Sequence, residues 1–298
     1  MLIAFVQDTQ PDKWQAIVRR HGAEDAARSL LQRVGIELDK RGTIDCLRHG
    51  IIDIGVEVQL AYWKPGSRMN QSALALYEKN RLSITRQVKY AMNSEHSIDT
   101  VLFVNGIPVV TMELKNPIKG QTYQDAIVQY KKDRSPREKL LSFKKRALVH
   151  FAVDPDEVWM TTRLDKLDTN FLPFNRGHAD GSAGNPPVEG DYRTSYLWKK
   201  VLQKDSLLDI LERFVQQQKD KKNGHEWIIF PRYHQLDVVR KLVVDVKQHG
   251  CGHSYLIQHS AGSGKSNSIA WLAHHLESLH DADEQVIFHS IIVITDRR

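Results

Sequence analysis

The sequence predicts an α/β protein with two parts in succession: a mixed sheet with flanking helices, then the beginning of a parallel α/β sheet. Two observations lead to this prediction. Two β-rich runs, at 100–104 and 107–114, are separated by Asn105-Gly106, a dipeptide typical of tight hairpins. Further along the chain, strand-like and helix-like segments alternate around a glycine-rich loop at 259–266. That order is typical of parallel sheets.

The size and composition of the chain set the outer limits. Its 298 residues are enough for two domains of ordinary size. Cys46 and Cys251 lie far apart in the sequence, which argues against a disulfide framework or a zinc site. The sequence has no basic leader and no apolar run near the roughly 20 residues that a membrane helix needs. We therefore expect a cytoplasmic protein without membrane association.

The positive charge of the chain is concentrated in one tract. The net charge is +6, but residues 115–146 contain ten basic and three acidic residues. A positive surface beside acidic catalytic groups would hold a phosphate backbone, so this tract favours nucleic acid as the partner. The alternative is an ordinary solvated helix face.

The elements of the first part follow from local patterns. Apolar residues at helical intervals predict an early helix, and short β-rich runs predict strands on both sides of the hairpin. A Gly-, Pro- and Asn-rich stretch predicts a connector. The resulting expectation is a helix at 25–34, strand character at 51–60, the hairpin, a helix at 121–132, strands at 147–153 and 158–162, and a loop at 174–191.

The second part is predicted by the same rules. Apolar residues at helical spacing predict a helix or helix pair at 196–218. After it we expect a short strand near Trp227, a helix at 233–247, a strand at 254–258, a helix at 266–279 and a strand at 286–295.

The hairpin carries a set of side chains suited to phosphodiester chemistry. Glu113 and Lys115 are two apart on a strand and therefore share a face. Two carboxylates can hold a divalent cation, and a nearby ammonium can orient water or offset phosphate charge. A strict two-residue turn would place Asp99 opposite Met112, facing away from Glu113. The site therefore requires a three-residue loop at 104–106 or an equivalent bulge.

The glycine-rich loop predicts phosphate binding. Glycines let backbone amides turn towards phosphate oxygens, a lysine reaches the terminal phosphates, and a hydroxyl holds Mg²⁺. A complete P-loop pattern would have glycine at position 259, where this chain has His259. The residues that fill the remaining roles are Gly262, Ser263, Gly264, Lys265 and Ser266.

Residues 97–117 resemble the PD-(D/E)xK nuclease superfamily, and specifically the nuclease domain of type I restriction enzyme restriction subunits. This resemblance implies a restriction-endonuclease-like fold with Asp99 and Glu113 as Mg²⁺ ligands and Lys115 as the catalytic lysine. The family often carries Gln-x-x-x-Tyr on the next helix, whereas Gln129 is followed four residues later by Asp133. The auxiliary residues that the family pattern suggests are Gln124, Gln129 and Tyr130.

The second part resembles superfamily 2 helicases and translocases, through the core Ala-Gly-Ser-Gly-Lys-Ser at 261–266 and the segment 230–235. The resemblance implies the first part of a RecA-like ATPase lobe that binds ATP and Mg²⁺. In it Gln235 reads the adenine edge and Ser266 serves as a Mg²⁺ ligand. Asp296 and Arg297 lie where the family's next motif begins.

These resemblances imply the N-terminal part of a type I restriction subunit. We expect an endonuclease domain at 1–195, a helical connector at 196–225 and a truncated motor domain at 226–298. The activity would be Mg²⁺-dependent cleavage of double-stranded DNA coupled to ATP-dependent translocation, together with methyltransferase and specificity subunits. Because the later motor motifs are absent from this chain, we expect it to lack efficient ATPase activity.

Two other interpretations remain open. The chain could belong to a superfamily 2 translocase whose hairpin domain is a non-catalytic DNA clamp. It could also be a non-enzymatic module that docks a motor onto partner subunits. If the three hairpin residues converge on a cation, the chain is a nuclease and not a DNA clamp. Contact of the basic tract with protein would favour the docking module.

Overall fold

The structure, a computed structural model, describes residues 1–91 and 94–295. Its N-terminal part is mainly helical and ends in a short hairpin and one further helix. These elements are α1 (Leu2–Thr9), α2 (Pro11–His21), α3 (Ala26–Arg41), α4 (Thr43–His49), β1 (Ile51–Asp53), β2 (Val56–Val58) and α5 (Gln71–Glu78). The predicted strand character at 51–60 is thus resolved into the hairpin of β1 and β2.

The centre of the fold is a six-stranded mixed sheet. Its elements are β3 (Leu82–Lys89), β4 (Ser97–Val104), β5 (Ile107–Leu114), α6 (Tyr123–Asp133), β6 (Val149–Val153), β7 (Val158–Thr161) and β8 (Leu172–Pro173). The strands lie in chain order. All neighbours are antiparallel except β5 and β6, which are parallel and are joined by α6. The predicted hairpin, helix and two following strands are confirmed.

The third part contains the connector and the predicted motor segment. Its elements are a π-helical segment at Leu197–Val201, α7 (Lys204–Asp209), a second π-helical segment at Ile210–Phe214, β9 (Gln216–Lys219), β10 (Glu226–Ile229), α8 (Tyr233–His249) and α9 (Lys265–Glu277). The helix predicted at 196–218 ends early, because its last residues pair with β10 as β9. Among the described residues, no helix is both long and apolar enough to cross a membrane.

The sheet is covered on both faces. One face packs against the N-terminal helices and the connector. The large core formed there includes Phe5, Phe151 and Phe214. The other face packs under α6 through a smaller cluster that includes Val101 and Tyr130. Because the sheet is covered on both faces, its buried polar side chains need hydrogen-bond partners within the protein. The candidate site lies on the face under α6.

The hairpin turn is a two-residue turn. Asn105 and Gly106 have φ angles of +52° and +89°, and Val104 pairs with Ile107. The predicted three-residue loop is therefore wrong. The predicted alternative, an equivalent bulge, is confirmed: the ladder pairs Phe103 with Pro108 and then Leu102 with Val110, so Val109 is an extra residue on β5.

The hydrophobic pattern explains the bulge. Ile107 and Val109 have one parity and Val110 and Met112 have the other, yet all four lie in the same core cluster. A regular strand would expose one of these pairs to the opposite face. Pro108 beside the bulge has no N–H to donate, which suits a break in the ladder. After the bulge, the odd-numbered side chains of β5 face α6.

Two predicted strands of the motor segment are not formed. Within the described chain, no strand is assigned in the predicted ranges 254–258 and 286–295, and the pairing seen there is an isolated bridge between His280 and Val286. A strand exists only where another strand accepts its hydrogen bonds. Without such a neighbour, Leu256 and Ile294 are 95% and 90% exposed. The predicted parallel sheet is therefore not seen, while both predicted helices, α8 and α9, are confirmed.

Candidate active site

The bulge brings Asp99 and Glu113 onto one face of the sheet. The ladder pairs Thr100 with Met112, so the next position along places Asp99 opposite Glu113. The Asp99 Oδ2 atom accepts the backbone N–H of Leu114 at 2.8 Å, which fixes the carboxylate beside the end of β5. The geometry that the sequence required of these two residues is present.

Glu113 is fully buried and has one charged partner. Arg134 donates from Nε to Glu113 Oε1 at 2.6 Å. The second oxygen, Oε2, has no hydrogen-bond partner in the part of the chain that the structure describes. Burial raises the pKa of Glu113 to about 7, Arg134 opposes that rise, and the neighbouring Asp99 adds to it. The fold therefore holds a carboxylate oxygen that still lacks a positive partner or a proton.

Arg134 links the two strands that carry the carboxylates. It follows α6 and is only 5% exposed. Besides its bond to Glu113, it donates from Nη2 to the carbonyl oxygen of Ser97 at 2.8 Å, and it lies over the ring of Tyr90. Sequence reasoning missed this role and counted Arg134 with the surface charge, because nothing in the local pattern shows that the side chain turns inward.

The basic tract is thus divided between internal and surface roles. Four of its ten basic residues form ion pairs within the protein, through Glu113, Asp39 and Glu226. These four are Arg134, Lys139, Lys144 and Arg146. Lys119, Lys132 and Arg137 are exposed and remain available to a polyanion.

Lys115 lies at the end of the same hairpin and points to α6. Its Nζ atom donates to Gln129 Oε1 at 2.5 Å. Of the suggested auxiliary residues, Gln129 therefore contacts a predicted site residue. Tyr130 is buried against Thr111 instead, and the Gln124 side chain accepts from the hydroxyl of Thr122.

The carboxylates fit a divalent cation of limited protein ligation. In the described ranges, no three or more His, Cys, Asp and Glu side chains are grouped to hold a metal. Mg²⁺ commonly uses one or two carboxylates and keeps several waters or takes substrate phosphate oxygens. The partnerless oxygen of Glu113 beside Asp99 is the observation that favours such a site.

A buried polar chain supports the floor of the site. Thr111 Oγ1 lies 2.9 Å from the hydroxyl of Tyr130 and 2.7 Å from Nδ1 of His150. Burial lowers the pKa of His150 to about 3, so this ring is neutral in the fold. Neutral His150 therefore adds no charge to the buried layer under α6. The sequence offered no signal for this residue.

The phosphate loop precedes α9. Gly262 and Gly264 have φ angles of +73° and +81°, in the left-handed region that glycine adopts easily. Lys265 Nζ donates to the carbonyl oxygens of His259 and Ser260 at 3.0 and 2.9 Å. Ser266 is exposed at the start of α9, where free backbone N–H groups favour anions.

Gln235 holds the phosphate loop in place. Its Nε2 atom donates to the carbonyl oxygens of Ser263 and Gly264 at 3.0 and 3.1 Å, and its Oε1 atom accepts from the N–H of Arg232. A Cβ atom at position 264 would lie 2.4 Å from Gln235 Nε2 and would displace that amide, and the φ angle of Gly264 also favours glycine. The predicted adenine contact of Gln235 remains a prediction.

A cavity of about 710 Å³ adjoins the loop. It lies between the β7–β8 edge of the sheet and the start of α8, and Gly262, Gly264 and Gln235 line it together with Arg163 and Trp227. Its size is in the range of nucleotide and drug sites. The remaining motor residues singled out from the sequence, Asp296 and Arg297, lie outside the described residues.

The fold and the site define a mixed α/β protein in which a carboxylate pair and a lysine share the end of a β-hairpin, followed by a phosphate loop. Residues 55–169 match the family described as Type I restriction enzyme R protein N terminus. This match, together with relatives named as type I restriction enzyme endonuclease subunits, supports an R-protein N-terminal region in this chain.

Individual relatives agree with this family. The chain is 25% identical over 272 residues to the putative type I restriction enzyme MjaVIIIP endonuclease subunit of Methanocaldococcus jannaschii, covering 86% of this chain and 24% of that protein. It is 25% identical over 205 residues to the type I restriction enzyme HindI endonuclease subunit of Haemophilus influenzae, covering 67% of this chain and 18% of that protein. The chain thus spans less than a quarter of either relative.

The buried ion pair makes a prediction about stability. Replacing Arg134 with Met leaves Glu113 buried without a counterion, which typically costs about 3–5 kcal/mol of unfolding free energy. Removing Arg134 raises the pKa of Glu113 further, so the loss grows as the pH rises and is smaller at pH 5.5, where Glu113 is protonated. Urea unfolding at pH 5.5 and 8 measures both values.

Two variants control this experiment. The exposed Arg137→Met should change stability little, because it removes an arginine of the same tract that has no buried partner. The double variant Glu113→Gln/Arg134→Met should recover much of the stability lost at pH 8. An equal loss for Arg134→Met at both pH values would contradict the assigned ion pair.

The buried histidine predicts a second pH effect. His150 stays neutral in the fold and binds a proton once unfolded, where a histidine pKa is about 6.5. Its contribution to stability is therefore fully present above that value and is lost as the pH falls towards 3. Relative to His150→Asn, the wild type should lose about 2 kcal/mol between pH 7 and 5. Chemical unfolding at both pH values tests this, with the exposed His96→Asn as the control; a constant difference would refute it.

Proposed function

We propose that this chain forms the endonuclease part of a type I restriction enzyme and hydrolyses phosphodiester bonds of double-stranded DNA with Mg²⁺ at Asp99 and Glu113. The observation that carries the proposal is the partnerless buried oxygen of Glu113 beside Asp99, at the hairpin where Lys115 also lies. The match of residues 55–169 to the N-terminal region of type I restriction enzyme R proteins supports the same activity.

Each residue has a role that follows from its position. Asp99 and Glu113 would hold the cation, with Glu113 fixed by Arg134 through one oxygen and free at the other. A cation bound there would polarise the scissile phosphate and lower the pKa of an attacking water. Lys115, held by Gln129, would orient that water or offset charge on the phosphate. The exposed Lys119, Lys132 and Arg137 would contact the DNA backbone.

We further propose that the third part binds ATP and belongs to a DNA translocase. Lys265 would release the loop carbonyls and bind the terminal phosphates, Ser266 would hold Mg²⁺, and the start of α9 would receive phosphate oxygens. The base would enter the cavity beside Gln235. Translocation, and assembly with methyltransferase and specificity subunits, are proposed from the family because the chain spans only part of its relatives.

One observation favours a second candidate, a non-catalytic DNA clamp attached to the translocase. Glu113 already has a charged partner in Arg134, and a buried glutamate–arginine pair can be purely structural. In that case Asp99 and Lys115 would contribute to DNA binding, and the DNA would be cleaved by another part of the enzyme.

Conservative variants of the complete R subunit, assembled with methyltransferase and specificity subunits, distinguish the two candidates. Asp99→Asn should reduce plasmid cleavage at least about a hundredfold. Replacing a residue that only hydrogen-bonds to a metal ligand already lowers metal affinity or activity by up to about a hundredfold. Lys115→Ala should do the same, and both variants should retain DNA-dependent ATPase activity. Gel analysis of plasmid cleavage and phosphate release measure the two activities.

Two further variants calibrate these assays. Lys265→Ala should remove both activities, because cleavage is coupled to translocation, while the exposed Asp156→Asn should retain both. Normal cleavage by Asp99→Asn would favour the clamp, and loss of ATPase activity in that variant would contradict the separation of the two sites.

A further inference from the structure

Gln87 has an unusual backbone in the middle of β3. The ladder between β3 and β4 pairs Arg86 with Thr100 and Val88 with Ile98 on either side of it. At Gln87, opposite Asp99, the φ angle is +52°, in the left-handed region that residues other than glycine rarely adopt within a strand. The conformation is therefore strained at the position of β3 that lies opposite Asp99.

The strained residue holds the carboxylate of Asp99. Gln87 Nε2 donates to Asp99 Oδ1 at 3.0 Å, and Gln87 Oε1 accepts from the hydroxyl of Ser97 at 2.7 Å. Because the Ser97 hydroxyl donates to the amide oxygen of Gln87, the NH₂ group of the same amide faces Asp99. With Leu114 N–H on Oδ2, each oxygen of Asp99 has one fixed donor. The plane of the carboxylate is thereby set beside Glu113.

Stability does not explain this arrangement. β3 is an edge strand of the sheet, and the Gln87 side chain is exposed. A hydrogen bond between exposed groups adds little to folding, because water can replace either partner. An edge residue could relax to an ordinary extended backbone with its amide in solvent. Strain that no buried contact offsets is typical of functional sites.

We infer that Gln87 is a positioning residue of the cation site, kept in a strained backbone so that its amide orients Asp99 towards a cation shared with Glu113. This inference rests on the proposed function, since it assigns a support to the proposed Mg²⁺ site. Residues that orient metal ligands by hydrogen bonding typically change metal affinity about 10–100-fold when they are replaced.

Two substitutions separate the side chain from the backbone. Gln87→Gly relieves the strain and removes the amide, so the melting temperature should rise while affinity for Mn²⁺ falls about tenfold or more. Gln87→Met keeps the length of the side chain but removes the donor, so affinity should fall similarly without a rise in melting temperature. A purely structural residue would change stability and affinity in the same direction.

The experiment uses the 298-residue chain with Mn²⁺ alone as the probe. Free Mn²⁺ is measured by electron paramagnetic resonance and melting by circular dichroism. Lys166→Gly is the matched control, since exposed Lys166 also has a positive φ, +49°, but lies in the turn before β8. It should raise the melting temperature and leave the Mn²⁺ affinity unchanged. Thr85→Gly, at an ordinary position of β3, should lower the melting temperature.

The outcomes are distinct. Weaker Mn²⁺ binding by both Gln87 variants, with a higher melting temperature for Gln87→Gly alone, supports the inference. Mn²⁺ binding that is lost in Asp99→Asn but normal in both Gln87 variants overturns the inference and leaves the proposed function standing. A lower melting temperature for Gln87→Gly overturns the role of strain. Absence of Asp99-dependent Mn²⁺ binding in the wild type overturns both proposals.

Discussion

The extra residue at Val109 determines which side chains of β5 meet the rest of the site. A one-residue change in register moves the side chains of a strand to the opposite face of the sheet. A single extra residue therefore reverses the face on which every later side chain of the strand lies. Before the bulge, β5 fills the large core with Ile107 and Val109; after it, with Val110 and Met112. The same inversion turns Thr111 and Glu113 towards α6 and places Glu113 opposite Asp99. Burial of apolar residues on one face thus positions the acidic residues on the other.

The second constraint is the charge that this inversion buries. A carboxylate without water or a partner is strongly unfavourable in a protein interior. Arg134 satisfies one oxygen of Glu113 from the end of α6, and its bond to Ser97 attaches the same guanidinium to β4. The helix, the hairpin and the acidic pair are therefore interdependent. The other oxygen, Oε2, has no hydrogen-bond partner among the described residues. This unpartnered oxygen distinguishes a candidate metal site from an ordinary buried ion pair.

The two halves of the chain meet beside the phosphate loop. The cavity there is lined by the edge of the six-stranded sheet as well as by the loop and α8. Gln235 connects α8 to the loop, and a side chain at position 264 would displace its amide. The local geometry of the loop thus depends on a residue 28 positions before Ser263 and 29 before Gly264. By contrast, the two neighbouring predicted strands are not formed in the described part of the chain, and apolar residues such as Leu256 and Ile294 are exposed there.

Local pattern was enough to predict the hairpin and most helices, because turn dipeptides and periodicity act over a few neighbouring residues. Motif spacing also singled out the glycine-rich loop and the candidate residues Asp99, Glu113 and Lys115. The sequence also showed that the site needed either a longer turn or a bulge, but it could not choose between them. That choice depended on which apolar side chains the core accepts. The inward turn of Arg134, the neutral buried His150 and the strained Gln87 were decided by tertiary structure alone. Each depends on partners distant in sequence, which residue type and spacing do not encode.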